Sequence, residues 1–407
     1  KNLQILGRTM SVDDAWTAYV YLIDTLSEYP RVQERIPQIP FSHLHRFCRV
    51  LSRHRPKTHR QFLRLLSVMM YIKHCDGDMK QWALNALVDL AGKGWRKTQP
   101  SVIAKQMDVF NDLLAGCMPG ASEYAPESQN MMLNLAFKAD VYTLTSLVTV
   151  AARGSDAGTL RELAAMMGKS GLVPNRVAHV AMLRYYEQRR DLPGLRATLQ
   201  RMRQLNVDLG VEGLNACISA YSRLQKLDVV LMIYRLLRHN VIPEKYRGEN
   251  DIIETGAQLA EEFIFVEEDV VADKITYVSV IQSMTYHGHF RASMEIFMDM
   301  LAMTQRKADN AVGPDSQKNE FEPTIAVYRA IFLGFARHAI KPSQVRNSKR
   351  DWTLDNLRKF FSRFLLLPSD THITQAQLWM ILDAFGKTSD WDDDELRQVW
   401  VAIDMRF

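Results

Sequence analysis

Cysteine, glycine and proline are all scarce in this chain of 407 residues, which holds 4, 19 and 14 of them. The cysteines, Cys48, Cys75, Cys117 and Cys217, are scattered and form no CxxC, so a disulfide scaffold is excluded and a reducing compartment fits. Few glycines and prolines, beside plentiful Leu, Ala, Met, Arg and Gln, favour helix over turn-rich architectures. No apolar run reaches the roughly 20 residues that a bilayer demands, so no membrane span is expected. No signal-peptide apolar region follows Lys1, and we expect a processed or trimmed product whose targeting segment is out of view. His43, His45, Cys48, His54, His59, His74 and Cys75 lie near one another, but none has zinc-finger spacing, and no HxE occurs. No metal, no cofactor and no enzyme is expected.

Acid is also missing where base is dense. From Arg35 to Cys75 there are nine Lys and Arg residues and no Asp or Glu. From Glu244 to Asp273 the balance reverses, with ten acids against Lys245 and Arg247, a net of −8. The whole chain carries +5, so the remainder carries +13. A chain that is basic outside one acidic insert suits a polyanionic partner; two solvated faces are the alternative.

What the chain does have is a repeat. Residues 166–175, MMGKSGLVPN, read as a helix stop, with Gly171 suited to a left-handed residue and Pro174 barring continuation. Thirty-five residues beyond Met167, Gly171 and Pro174 lie Met202, Asn206 and Leu209; thirty-four further lie Leu236, Asn240 and Pro243. Inside each unit the apolar residues fall into two helical runs: Leu144, Leu147, Val148 and Ala151, then, after a turn at Gly154–Gly158, Leu160, Leu163, Ala164 and Met167. A hairpin this small must stack on neighbours to bury its face, which predicts an all-α solenoid of helix-turn-helix units.

These positions resemble the pentatricopeptide-repeat family, which implies a right-handed α-solenoid of stacked helix-turn-helix repeats. KITYVSVIQSMTYHGHFRASMEIFMDM, residues 274–300, is similar to its consensus through Thr276 and Tyr277 at the opening, Gly288 at the turn, and Phe297 and Met300 in the second helix. Unit 141–175 contributes Met167, Gly171, Pro174 and Asn175; residues 322–338 look like another helix start, and 373–400 a last unit with Gly386 at the turn. A tetratricopeptide array is the runner-up, but its Trp-Leu-Gly-Tyr first helix is not seen. The expected organisation is a divergent helical region over 1–140, three repeats over 141–244, an acidic insertion over 245–272, a repeat over 273–324 with a polar insertion at 301–321, and helical pairs over 325–407. WALNALVDLAGKGW, 82–95, looks like the first helix of a degenerate unit.

The resemblance implies binding of single-stranded RNA, one base per repeat, with the base sandwiched by something flat or apolar. It also implies that the fifth and last residues of a unit choose the base. Those are Thr145 and Asn175, a pairing that implies adenine; Asn215 and Glu244, where the asparagine implies a pyrimidine but glutamate replaces the usual Asp or Asn; and Val180 with Gly210, which can read no edge. Val278 is mute as well, and Arg329 suits a phosphate. HLHRFCRVLSRHRPKTHRQFLRLL, 43–66, places Arg46, Arg49 and Arg53 on one helical face and Arg60 and Arg64 on another, a second set of phosphate candidates.

Two further signals are set aside. GKS at 168–170 and GKT at 386–388 lack the earlier glycine of a phosphate loop, where Leu163 and Ile381 stand instead. Asp392, Asp393, Asp394 and Glu395 read as a helix N-terminus. The family resemblance implies a mitochondrial, matrix-located RNA-binding protein of transcript processing, stability or translation. The alternative is a protein-binding scaffold, either an assembly factor for a respiratory complex or a component bound to the mitochondrial ribosome, which the mute positions and the acidic insertion favour.

Overall fold

The computed structural model describes residues 1–27, 39–93, 98–119, 137–242, 251–310, 322–343, 351–368 and 371–407. Among these every regular element is an α-helix, and the helices pair and stack as an all-α repeat solenoid. The chain forms two compact units, Lys1–Tyr185 and Tyr186–Phe407.

Unit 1 holds α1 (Asn2–Arg8), α2 (Val12–Ser27), α3 (Phe41–Arg53), α4 (His59–His74), α5 (Gln81–Lys93), α6 (Pro100–Leu114), α7 (Val141–Arg153) and α8 (Ala157–Lys169). α9 (Arg176–Arg189) contains the division between the units. The divergent N-terminal helices form pairs too: α1 packs with α2, α3 with α4, and α5 with α6. α5 also packs directly on α7, so within this unit the degenerate pair stacks on the first well-formed repeat.

Unit 2 holds α10 (Leu192–Gln204), α11 (Gly210–Arg223), α12 (Leu227–His239), α13 (Ile252–Glu261), α14 (Lys274–Tyr286), α15 (Phe290–Asn310), α16 (Ile325–His338), α17 (Leu354–Phe364), α18 (Gln375–Ser389) and α19 (Asp393–Arg406). The first helix of each pair packs on the first helix of the next, α11 on α14, α14 on α16 and α16 on α18. That row explains why first helices are buried on several sides; α16 buries Val327, Tyr328, Ala330, Ile331, Phe332, Phe335 and Ala336.

Helix starts follow capping chemistry. Asp140, Asp156, Asp191, Asp251, Asp273, Thr374 and Asp392 each precede a helix and accept from a backbone N–H of its first turn. Glu395, in the acidic run that opens α19, pairs with Arg358. The turns show the period in the backbone itself. Ser155, Arg190 and Gln225, spaced by 35, all have positive φ, and Gly288 takes the matching place after α14. Gly171 (φ 65°) and Asn206 (φ 50°) repeat the same device at unit ends, where the Leu172 and Val207 amides donate to the carbonyls of Met167 and Met202. Gly386 departs from the expected turn position. It lies inside α18 with the Trp391 ring against it, and the left-handed residues are Asp390 (φ 61°) and Trp391 (φ 64°).

Candidate functional site

The fifth residue of a first helix, or in α11 the sixth, meets the residue that precedes the next first helix. In unit 1, the Thr145 hydroxyl donates to Asn175 Oδ1 at 3.1 Å, and the same oxygen accepts the Ala178 amide at 3.0 Å. Among the described residues Asn175 Nδ2 has no protein partner. Thr145 is buried, and its side chain is fixed rather than free to roam.

For Asn215 the expected partner, Glu244, lies outside the described residues, and the structure supplies a different one. Asn215 Nδ2 donates to Asp273 Oδ1 at 3.1 Å. The reason is the insertion. The cap of the next first helix, not the count from the unit's start, defines the partner, and α14 begins only at Lys274. The aspartate that the sequence position lacked is restored by the fold. Asn215 Oδ1 is buried and has no hydrogen-bond partner among the described residues.

A third pair was not anticipated. α5 opens at Gln81, its fifth residue is Asn85, and Asn85 Nδ2 donates to Asp140 Oδ2 at 2.7 Å. The two carboxylates are held alike. Asp140 accepts from the Thr143 amide and hydroxyl, and Asp273 from the Thr276 amide and hydroxyl. Burial opposes ionisation of Asp140, but the Thr143 and Asn85 donors outweigh it and keep its carboxyl below the usual range. The signal was present in the sequence as Asn85 in WALNALVDL, but its partner lies beyond an entire helix and a long connection.

The second residue of a first helix shares a face with the fifth, three places on. Tyr142, Val177 and Ile275 occupy it and are exposed, while Trp82, half-buried, precedes Asn85. Each is an apolar or aromatic side chain on the face of the fifth position. Val180 is buried and Gly210 opens α11, where Leu209 takes the cap position, so this unit has no polar pair. Val278 is half-buried and Arg329 exposed.

The basic stretch divides, and two expectations are corrected. Arg46 donates to the carbonyls of Arg8 and Thr9, closing the end of α1. Arg64 is buried, pairs with Asp13 at 2.8 Å and lies over the Trp16 ring. Neither faces a ligand, because acids and carbonyls from other helices reach them. Arg49, Arg53 and Arg60 are exposed, with Arg49 over Trp82 at 5.3 Å. The local lack of acid is likewise repaired in space, as Lys57 pairs with Asp89.

The acidic insertion is tied into unit 2. Glu262 accepts from Tyr221 at 2.8 Å and pairs with Arg196 and Lys226 at 2.8 and 3.2 Å. Burial opposes its ionisation, but Tyr221, Lys226 and Arg196 together hold its carboxyl below the usual range. Asn240 donates to the carbonyls of Glu267 and Val270, and Arg203 lies over the Phe265 ring at 4.2 Å.

Residues 130–189 match the family model described as pentatricopeptide repeat domain. The structure is similar to the crystal structure of the pentatricopeptide repeat protein PPR10 in complex with an 18-nt psaJ RNA element, at a TM-score of 0.56 and 11% identity. A variant of PPR10 with three cysteines replaced by serine, bound to the same element, gives the same TM-score and identity. Each comparison covers 98% of this chain and 44% of the other, so the chain spans less than half the length of these proteins. PPR10 from maize is matched over 92% of this chain and 50% of its own, at 12% identity and a TM-score of 0.38. At such identities the likeness is one of fold. No curated protein sequence matches the chain.

Proposed function

We propose that this chain, whose residues 130–189 match the pentatricopeptide repeat model and whose fold is that of such proteins, binds single-stranded RNA and reads base edges with three pairs: Asn85 with Asp140, Thr145 with Asn175, and Asn215 with Asp273. The observation that carries this reading is Asn215. Its Nδ2 is anchored by an aspartate, and its Oδ1 is buried without a partner among the described residues. A buried acceptor left open costs about 1–3 kcal/mol. The N3–H of uracil or the N4 amino group of cytosine would complete it. The Thr145 and Asn175 pair offers the opposite polarity, an amide donor at Nδ2. The exposed Tyr142, Val177 and Ile275 supply the flat or apolar surfaces between which splayed bases are held. The RNA named in the titles of the PPR10 complexes supports the same ligand class.

The scaffold alternative rests on the mute positions Val180, Gly210 and Val278 and on the acidic insertion; of the insertion, Glu262 is already engaged within unit 2. The compartment we assign is the mitochondrial matrix, and the role transcript processing, stability or translation; both rest on the family resemblance. Crosslinking in intact mitochondria followed by sequencing of attached RNA tests them, with one dominant footprint expected. In vitro, Asn215→Ala should weaken binding to a selected RNA by about 1–3 kcal/mol and relax base preference at one position. Unchanged affinity and preference would remove that unit from the interface.

A further inference from the structure

We propose that the face formed by α14, α16 and α18 is a base-independent clamp, which holds single-stranded RNA by stacking and by phosphate pairing; the proposal rests on the RNA-binding reading above. These three first helices pack side by side within unit 2, and helices packed in this way have axes about 8–10 Å apart. Their fifth residues are Val278, Arg329 and Trp379. None can accept and donate along a base edge as Asn215 can. Two of them suit the parts of a nucleotide that are the same in every sequence.

Arg329 is exposed and has no ion-pair partner among the described residues. Its guanidinium has five donors and no acceptor, the geometry that takes a phosphate. Trp379 is 62% exposed. An indole that far into solvent offers a π-face on which any base stacks. About two turns further along, the same helices carry Tyr286, Arg337 and Lys387. The Arg337 guanidinium lies 3.9 Å from the Tyr286 ring centroid, and Lys387 pairs with Asp383 at 2.8 Å. A groove of about 640 Å³ runs along this face, bordered by Tyr286, Arg329, Arg337, Asp383 and Lys387. Three cations face it against one carboxylate, a local net of +2.

Charge alone would admit an acidic polypeptide. An acidic segment satisfies Arg329 and leaves Trp379 in water, whereas a nucleotide uses both, so RNA is the better occupant. The contrast with α11 is direct: there Asn215, the sixth residue of the helix, is a buried amide with an anchored donor, and on α16 and α18 the fifth residue is an exposed cation or ring.

The test is binding of fluorescently labelled oligonucleotides of uridine, adenosine or cytidine to the whole chain, comparing Arg329→Ala, Trp379→Ala and Asn215→Ala. The clamp predicts that Trp379→Ala weakens all three oligonucleotides alike, by about 5- to 100-fold. It predicts that Arg329→Ala weakens all three and lowers the salt slope by about one. Asn215→Ala should instead change the ranking among them. Both clamp residues are exposed, and unchanged melting curves establish that the variants fold. If neither clamp variant moves any affinity while Asn215→Ala does, the clamp is overturned and the edge-reading function stands. If the unaltered protein binds none of the oligonucleotides, the RNA reading itself falls, and the clamp with it. Binding of polyglutamate that needs Arg329 but not Trp379, in the absence of RNA binding, would assign the face to an acidic protein and overturn the clamp.

Discussion

Asp273 has two duties on one side chain. Its Oδ1 caps α14 through the Thr276 amide and also takes the Asn215 donor. Asp273→Gly should cost the cap only about a few tenths of a kcal/mol, yet it removes the acceptor that orients Asn215. The expected outcome is a melting temperature close to the parent's with altered RNA preference; a large loss of stability with unchanged preference would assign Asp273 to the cap alone. Gly334 is a different kind of residue. A Cβ there would stand 2.6 Å from the Trp352 ring and 3.1 Å from Thr285 Cβ. Trp352 is buried, and its indole donates to the Gly288 carbonyl at 3.0 Å. Gly334→Ala should therefore destabilise by about 1–3 kcal/mol, as overpacking of a core does, read as a lowered midpoint in urea.

Among elements, the turns inside the hairpins are built at a cost. Arg190 and Gln225 sit at φ 54° and 61°, a region in which a Cβ costs roughly 1–2 kcal/mol relative to glycine. Both are exposed. Arg190→Gly and Gln225→Gly should each raise stability, by up to about 1 kcal/mol after the added freedom of the unfolded chain is subtracted. Loss of stability in both variants would show that these side chains make contacts that outweigh the strain. The insertion gives a second prediction at this scale. Glu262 gathers Arg196, Tyr221 and Lys226, so Glu262→Ala should loosen residues 251–272 and raise their cleavage in limited proteolysis, while cleavage in α11 and α12 stays low.

For the molecule as a whole, acid should destabilise both units. In unit 1 burial opposes ionisation of Asp89 and Asp140, but Lys93 and Lys57 at the first, and Thr143 and Asn85 at the second, hold the carboxyls low. Glu262 is held low in unit 2. A carboxyl depressed in the folded state leaves the unfolded chain the stronger proton acceptor. Its stabilising contribution is complete above the unfolded carboxylate range of about 4, and is lost as pH falls through the folded value. Melting temperature should thus be flat from neutral pH to about pH 5 and drop below about pH 4. Asp89→Asn should lower stability at neutral pH and reduce the acid-side drop. A melting temperature that stays level down to pH 3 would contradict this assignment.

The sequence by itself determined the period, the helix pairs and one of the hydrogen-bonded pairs. Leu, Met and Ala at helical spacing, with helix stops 35 residues apart, are local signals that no distant contact needs to complete. Thr145 and Asn175 were legible because they are 30 residues apart in an unbroken unit. Tertiary structure decided the other pairs. Asn215 and Asp273 are 58 residues apart across an insertion, and Asn85 and Asp140 are 55 apart. Their meeting depends on which first helix packs beside which, and counting along the chain cannot follow that through added residues. The arginines make the same point. Arg46, Arg49, Arg53, Arg60 and Arg64 looked alike because a sequence records which charges exist. Whether a charge faces solvent, as Arg53 does, or an aspartate 51 residues away, as Arg64 does, is fixed only when helices from elsewhere close over it.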